Sequence, residues 1–147
     1  MTNADEPTIE PTAIDITSRM GVIDEEDCIG LMASTPIGRI AFTVDGHPMV
    51  VPVNFAWHED TIVFRTLEGQ KLDAAAEGQT VCFQIDDWDR DERTGWSIAV
   101  IGKAREVTNF AEREQLENIG LIPWAKEKWR PMWVRIEPES VSGRLLR

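Results

Sequence analysis

Between Gly38 and Trp57 the chain reads as two strands folded back on each other, and this stretch limits the fold more than any other. Ile40, Phe42 and Val44 alternate with Arg39, Ala41 and Thr43, the period of a strand with one buried face. Asp45-Gly46 follows, a pair that accepts the positive φ angles of a tight hairpin turn. The return strand sets Met49, Val51, Val53, Phe55 and Trp57 against Val50, Pro52, Asn54 and Ala56. Pro52 has no N–H to give a neighbour, so its strand belongs at a sheet edge or a bulge, where backbone groups are left to face a ligand. A lone hairpin is marginal in water and must be joined by further strands.

Those strands are visible downstream. His58-Glu59-Asp60 makes a second turn and Thr61 to Thr66 a third strand; Val81, Phe83 and Ile85 alternate in a fourth. Asp86 to Gly95 reads as a charged loop, Trp96 to Val107 as a strand interrupted by Gly102, and Trp133 to Ile136 as a last strand stopped by Pro138. Helices are few and short. Asp24 caps a segment that turns Cys28, Ile29, Leu31 and Met32 inward and ends near Thr35-Pro36. Lys71 to Glu77 reads as an alanine-rich turn of helix closed by Gly78, and Asn109 with Glu112 three positions on opens a helix through Leu116 to Gly120. The expected fold is mainly β with small helices, a closed antiparallel barrel that hides its strand edges.

Before Asp24 the chain is acidic and broken by Pro7 and Pro11, which suits a flexible acidic tail over residues 1–16. The remainder, 17–147, is the right length for one domain. A formal net charge of −11 denies nucleic acid its basic footprint and disfavours an anionic membrane surface. The apolar runs, such as Ile98 to Ile101, are too short to span a bilayer, so a cytoplasmic protein is expected. Cys28 and Cys82 match no metal spacing and read as buried free thiols. His47 and His58 both sit beside turns, with no spacing that suggests a triad or a metal cluster. Met32 and Met49 read as core, as do Trp57, Trp96 and Trp133 on their apolar-periodic positions.

The chemistry concentrates where the third strand runs toward Lys71. Arg65, Thr66, Gln70 and Lys71 cluster at a strand-to-helix junction, where cations, a hydroxyl and helix N-terminal amides replace the water that a phosphate gives up. As ordinary structure, Arg65 and Lys71 would pair with Glu68 or Asp73. The ordered set Gly38-Arg39-Ile40-Ala41-Phe42, Val51-Pro52-Val53-Asn54, Phe64-Arg65-Thr66, Gln70-Lys71-Leu72, Gly95-Trp96-Ser97 and Ser142-Gly143-Arg144 resembles the flavin mononucleotide (FMN) split-barrel family, the relatives of pyridoxamine 5'-phosphate oxidase. The resemblance runs from about Asp24 to Arg147. It implies a six-stranded antiparallel split β-barrel over 17–147 and a homodimer with flavin at the subunit interface. By that resemblance Phe64 and Thr66 meet the flavin and its ribityl phosphate, Lys71 holds the phosphate, and Arg65 supplies the cation missing at Gln70. Val51, Pro52, Val53 and Asn54 run beside the ring and Ser97 reaches the cofactor, while Arg144 approaches from the chain end.

The chain departs from the oxidase proper in having no basic residues on the strand Val50 to Asn54, which disfavours pyridoxamine phosphate as substrate. Phe55, Trp57, Trp88, Trp96 and Trp129 offer instead an aromatic edge for a flat apolar substrate, with Trp57 and Trp96 the chief candidates. Relatives of this type include nitroimidazole reductases and users of the deazaflavin F420. The implied activity is hydride transfer through FMN, or F420, to a small aromatic or nitro-type acceptor, with no catalytic side chain required. The competing readings are a flavin, deazaflavin or haem carrier or sensor without turnover, and a dimeric barrel that binds nothing.

Overall fold

The computed structural model of the chain describes residues 9–15, 20–66, 78–124 and 132–147. Nine antiparallel strands occur among them: β1 (Ala13–Ile14), β2 (Gly21–Ile23), β3 (Ile37–Val44), β4 (His47–Asn54), β5 (Ala56–His58), β6 (Thr61–Thr66), β7 (Thr80–Asp89), β8 (Thr94–Glu106) and β9 (Met132–Leu146). Two helices accompany them, α1 (Glu25–Ser34) and α2 (Phe110–Glu117). The strand order is β1-β2-β9-β8-β7-β3-β4, with β6 leaving the path on β9 and carrying β5. The six long strands β3, β4, β6, β7, β8 and β9 form the split barrel.

The barrel is not closed, contrary to the expectation that closure would hide every edge. Strand β9 is the fork: Met132 to Ile136 pair with β6, while Gly143 to Leu145 pair with β2. Two flaps therefore diverge from one strand, and β4 is left at the end of its sheet, paired among the described residues with β3 alone. The edge position of Pro52 follows, since a residue without an N–H costs nothing on a strand's unpaired side.

The turns obey the local chemistry. Asp45 and Gly46 take φ of 48° and 78° between β3 and β4, and Glu59 and Asp60 take 49° and 58° between β5 and β6. Gly78 sits at φ 65°, the left-handed position expected of it. Asp24 caps α1 by accepting the N–H of Asp27 at 2.9 Å, and Asn109 caps α2 by accepting that of Glu112 at 3.0 Å. Three boundaries differ from expectation. Residues 86–89 and 94–95 are strand, leaving a turn of only Arg90 to Arg93, because Asp86 to Asp89 stay paired with β8 despite their polarity. Strand β9 continues through Pro138 to Leu146, since Pro138 falls where the β8–β9 register shifts. Residues 9–15, assigned to the tail, include β1, and Asp15 pairs with Arg144 at 3.0 Å.

The barrel interior holds the main core, in which Ile40, Phe42, Phe64, Phe83, Ile85, Ile98, Val100 and Ile136 are buried and α1 inserts Cys28 and Met32. Phe55 and Phe83 meet edge to face, 4.7 Å between centroids. Met49, expected there, is 37% exposed on the edge strand. A second, smaller core of Val63, Val107, Leu116 and Trp133 lies outside the barrel under α2. Helix α2 thus covers the outer face of β6 and the adjoining parts of β8 and β9. No helix among the described residues is long and apolar enough to cross a membrane.

Candidate functional site

The other half of the outer face, across β4, β3, β7 and β8, has no cover among the described residues. The registers place Val50, Ala41, Cys82 and Ile101 in one row across it, and Pro52, Arg39, Gln84 and Ala99 in the next. Val50 is 62% exposed and Ile101 45%. Ala41, Cys82 and Ile101 of the first row, with Thr43, Pro48 and Thr80, line a shallow cleft of about 300 Å³. Exposed apolar groups collected on one sheet face, rather than scattered, mark a surface that another body covers.

A polar quartet borders that row. Arg39 lies 3.1 Å from an Asp86 oxygen and donates to Gln84 Oε1 at 3.3 Å. Gln84 Nε2 donates to Asp86 at 3.0 Å and to the Ser97 hydroxyl at 3.1 Å. Arg39 is the cross-strand neighbour of Pro52, which makes it the cation nearest in register to the middle of β4. From sequence, Arg39 enters only as part of the motif at 38–42 and Asp86 only as a loop residue, and neither of them, nor Gln84, is assigned a place in the site. Their signal was present in the alternation itself, which puts them on the outward positions of β3 and β7, but the pairing of β3 with β7 is a long-range fact.

The expected site residues divide among three environments. Pro52 and Ser97 share the open outer face, as does Val50, which has no role assigned from sequence. Val51 and Val53 turn inward, Val53 to the core itself, so that strand can offer a ligand only its backbone edge at those positions. Phe64 is fully buried and Thr66 is 4% exposed on the same face of β6. Past Ala56 the β5 ladder ends, and Phe64 to Thr66 continue beyond it, paired with β9. Arg65 does not join Thr66. Neighbours on a strand point to opposite faces, and Arg65 lies over the Trp133 ring at 5.0 Å and pairs with Glu117 at 3.5 Å under α2. Gln70, Lys71 and Trp129 lie outside the described residues, as does the expected helix from Lys71 to Glu77.

The aromatic edge is redistributed as well. Trp57 and Trp96 are partly buried against the main core, Trp96 on the opposite face of β8 from Ser97. Trp88 stands 71% exposed near the β7–β8 turn. Trp124, unremarked in the sequence, ends up beside β4: its backbone N–H is accepted by Asn54 Oδ1 at 2.8 Å. Asn54 Nδ2 in turn donates to the Pro36 carbonyl at 3.5 Å. Arg144 is held by Asp15 rather than directed at β4.

Electrostatics separate this surface from the α2 side. Burial, reinforced by the carboxylates of Asp24, Asp27 and Glu25, pushes the Cys28 thiol up to about 11. Burial alone raises that of Cys82. Under α2 the Arg105 guanidinium, hydrogen-bonded to Glu112, holds that carboxylate below the usual range. Arg135, 5% exposed, donates to Thr61 Oγ1 at 2.7 Å and sets Nε 2.9 Å from Glu112 Oε1, an ion pair too bent to be a hydrogen bond. This network fastens a helix, whereas the outer half-face has no such cover among the described residues.

Comparison with known proteins gives a consistent set. A family model described as pyridoxamine 5'-phosphate oxidase matches residues 24–145. An uncharacterised protein of Mycobacterium tuberculosis is 32% identical over 126 residues, 82% of each chain. Among solved structures, an FAD binding protein from Mycobacterium smegmatis is 35% identical with a TM-score of 0.69, over 86% of this chain and 99% of that one. An FAD-binding protein from Mesorhizobium loti, 22% identical, shares the fold with a TM-score of 0.73 over 86% and 97% of the two chains.

Proposed function

Because the chain belongs to the pyridoxamine 5'-phosphate oxidase family, we propose that it is a cytoplasmic flavin-dependent oxidoreductase that works as a homodimer. A flavin lies along β4 in this reading. The observation that carries it is the half-face left open beside an edge strand, with Val50 and Pro52 outward and the Arg39 quartet at its border. Edge strands present unpaired N–H and C=O groups, which suit the polar rim of an isoalloxazine, while outward Val50 and Pro52 suit the flat body of the ring. Pyridoxamine phosphate fits less well, since no basic side chain stands on β4 between Val50 and Asn54.

A flavin, when bound, supplies hydride chemistry of its own. The chain's work is to hold the ring, exclude water and admit an acceptor. A second copy seated on the Ala41, Cys82 and Ile101 end of the Val50 row would bury exposed apolar surface and complete the walls. The nucleotide form favoured is FAD, by likeness to the M. smegmatis protein, with FMN the form implied by the sequence motifs and F420 an alternative. The acceptor favoured is a small aromatic or nitro compound.

Purified protein tests this directly. Oxidised-flavin absorbance that persists through gel filtration, or that appears on titration with FAD or FMN, is expected, followed by reoxidation by a nitroaromatic after reduction. Failure of all flavins to bind would sink the proposal, and a Soret band would point to haem. A flavin carrier or sensor is the second reading, favoured by Arg39, Asp86, Gln84 and Ser97 being tied to one another rather than to the open face. Tight flavin binding without turnover of NADH or reduced F420 would select it.

A further inference from the structure

We infer that Trp124 is the platform on which a planar ring of the bound flavin nucleotide stacks, and that Asn54 is the residue that positions it. The inference rests on the flavin reading and names a wall of the same site. Its support is the contrast between how firmly the backbone of residues 121–124 is held and how little the Trp124 side chain is used.

Leu121 packs on the second core and Pro123 is buried, while Ile122 and Trp124 between and after them are 64% and 68% exposed. The segment follows α2, which Leu116 anchors from below and Glu112 ties to Arg105 and Arg135. At its far end the Trp124 N–H reaches Asn54 Oδ1 across seventy positions of sequence. Asn54 is itself braced: its Nδ2 donates to the Pro36 carbonyl, which also accepts the Phe55 N–H at 3.3 Å. Asn54, Pro36, Phe55 and Trp124 thus form one hydrogen-bonded knot at the end of β4.

An indole is a costly group to leave in water. Here it is not isolated, since Ile122 at 64% and Trp124 at 68% are exposed within three residues of each other, and grouped exposed apolar side chains mark a contact surface. A backbone tied to Asn54 with the ring left open is the arrangement that lowers the entropic cost of stacking a ligand. The position, flush with the end of the strand assigned to the cofactor, favours a flat heteroaromatic occupant. Both rings of a flavin dinucleotide have that chemistry, so the occupant is either the isoalloxazine or the adenine. Asn54 then acts through Trp124: its amide is spent on the clamp, and the ligand meets the indole.

The test is titration of Trp124→Ala, Trp124→Phe, Asn54→Leu and the double variant Asn54→Leu/Trp124→Ala with riboflavin, FMN and FAD, followed by flavin fluorescence. Trp124→Ala is expected to weaken binding by about tenfold to a hundredfold, the range for loss of one aromatic stacking partner, and Trp124→Phe to recover most of it. Asn54→Leu should approach Trp124→Ala, and the double variant should be no worse than Trp124→Ala, as for residues acting in series. A loss shared by all three ligands supports the isoalloxazine as occupant, and one confined to FAD supports the adenine. Unchanged affinity of Trp124→Ala for every flavin overturns the inference, as does a loss that tracks a change in oligomeric mass, which would make Trp124 an interface residue. A double variant much weaker than Trp124→Ala overturns the role of Asn54 alone. If the wild-type protein binds no flavin, the functional reading fails first and this inference with it.

Discussion

Arg65 lies over the indole of Trp133, 5.0 Å from the ring centroid, with Glu117 accepting from both: the Trp133 N–H at 2.9 Å and an Arg65 nitrogen at 3.5 Å. The cation that the sequence places at a phosphate corner is thus on the opposite face of β6, joining the strand to α2. Arg65→Ala should therefore cost stability, about 1 kcal/mol given a half-exposed Glu117 and a cation–π contact near the surface. Flavin affinity should stay within twofold of wild type. Urea midpoints and a flavin titration read the two effects, and an affinity loss with unchanged stability would return Arg65 to the phosphate site.

Lys71 remains the cation that the family motif assigns to the phosphate. Lys71→Ala should weaken FMN binding by about 1.5–3 kcal/mol, the value of a hydrogen bond to a charged group, and leave riboflavin, which lacks a phosphate, nearly untouched. Equal losses for the two ligands would show that Lys71 acts through folding.

What the sequence made legible was local. Asp45-Gly46, the Asp24 and Asn109 caps and Gly78 each carry a stereochemical demand that only a few residue types answer, and each stands where expected. The alternation of β3 and β7 named the interior. Polar alternation hid the end of β7, because Asp86, Asp87 and Asp89 look like a loop until β8 is there to pair with them. The candidate site was legible only as a strand. Which residues flank Pro52, and that Trp124 comes to Asn54, depend on pairings across many positions of sequence. The disagreement over Arg65 has a simpler cause: a strand's period of two forbids adjacent residues from sharing a cleft, so Arg65 and Thr66 had to part.

Glu112 gives a pH signature. Its carboxylate is held below the ordinary glutamate value of 4.5, chiefly by its hydrogen bond to Arg105, with Arg135 adding attraction and burial opposing. A group lowered in the folded state stabilises fully above its unfolded value and loses that contribution as pH falls from 4.5 through the folded value. Glu112→Gln should cost about 2–4 kcal/mol at pH 7, mainly because Arg135, 5% exposed, loses its counter-ion. The gap between variant and wild type should shrink as pH drops below 4.5. Urea melts at pH 7, 4 and 3 measure this, and a gap independent of pH would refute it.

Two glycines should respond in opposite directions to alanine. At Gly102 a Cβ would collide with the Glu137 carbonyl, at the point where the β8–β9 register shifts and neither backbone can yield without breaking the ladder. Gly102→Ala should destabilise by about 2–3 kcal/mol. Gly30, inside α1, has nothing within 4 Å of the same position. Gly30→Ala should stabilise by about 0.5–1 kcal/mol, the helix-propensity difference. Thermal midpoints of the two variants decide, and a neutral Gly102→Ala would mean that the close approach relaxes freely.

The open half-face makes the last prediction, since the row on which we propose that a second copy sits carries a thiol. Cys82 pairs across strands with Ala41 on one side and Ile101 on the other, so a partner covering Ile101 also covers Cys82. Cys28, fully buried and with its thiol pushed up to about 11, should stay silent to alkylation in the native protein whatever the oligomer. Ile101→Asp places a charge in the row without touching the core, because Ile101 is 45% exposed in the single chain. It should halve the mass seen by light scattering and open Cys82 to a maleimide, raising the native thiol count from none to one. Retention of the wild-type mass with Cys82 still protected would show that this face is not where two copies meet. A monomeric wild type with reactive Cys82 would remove the dimer altogether.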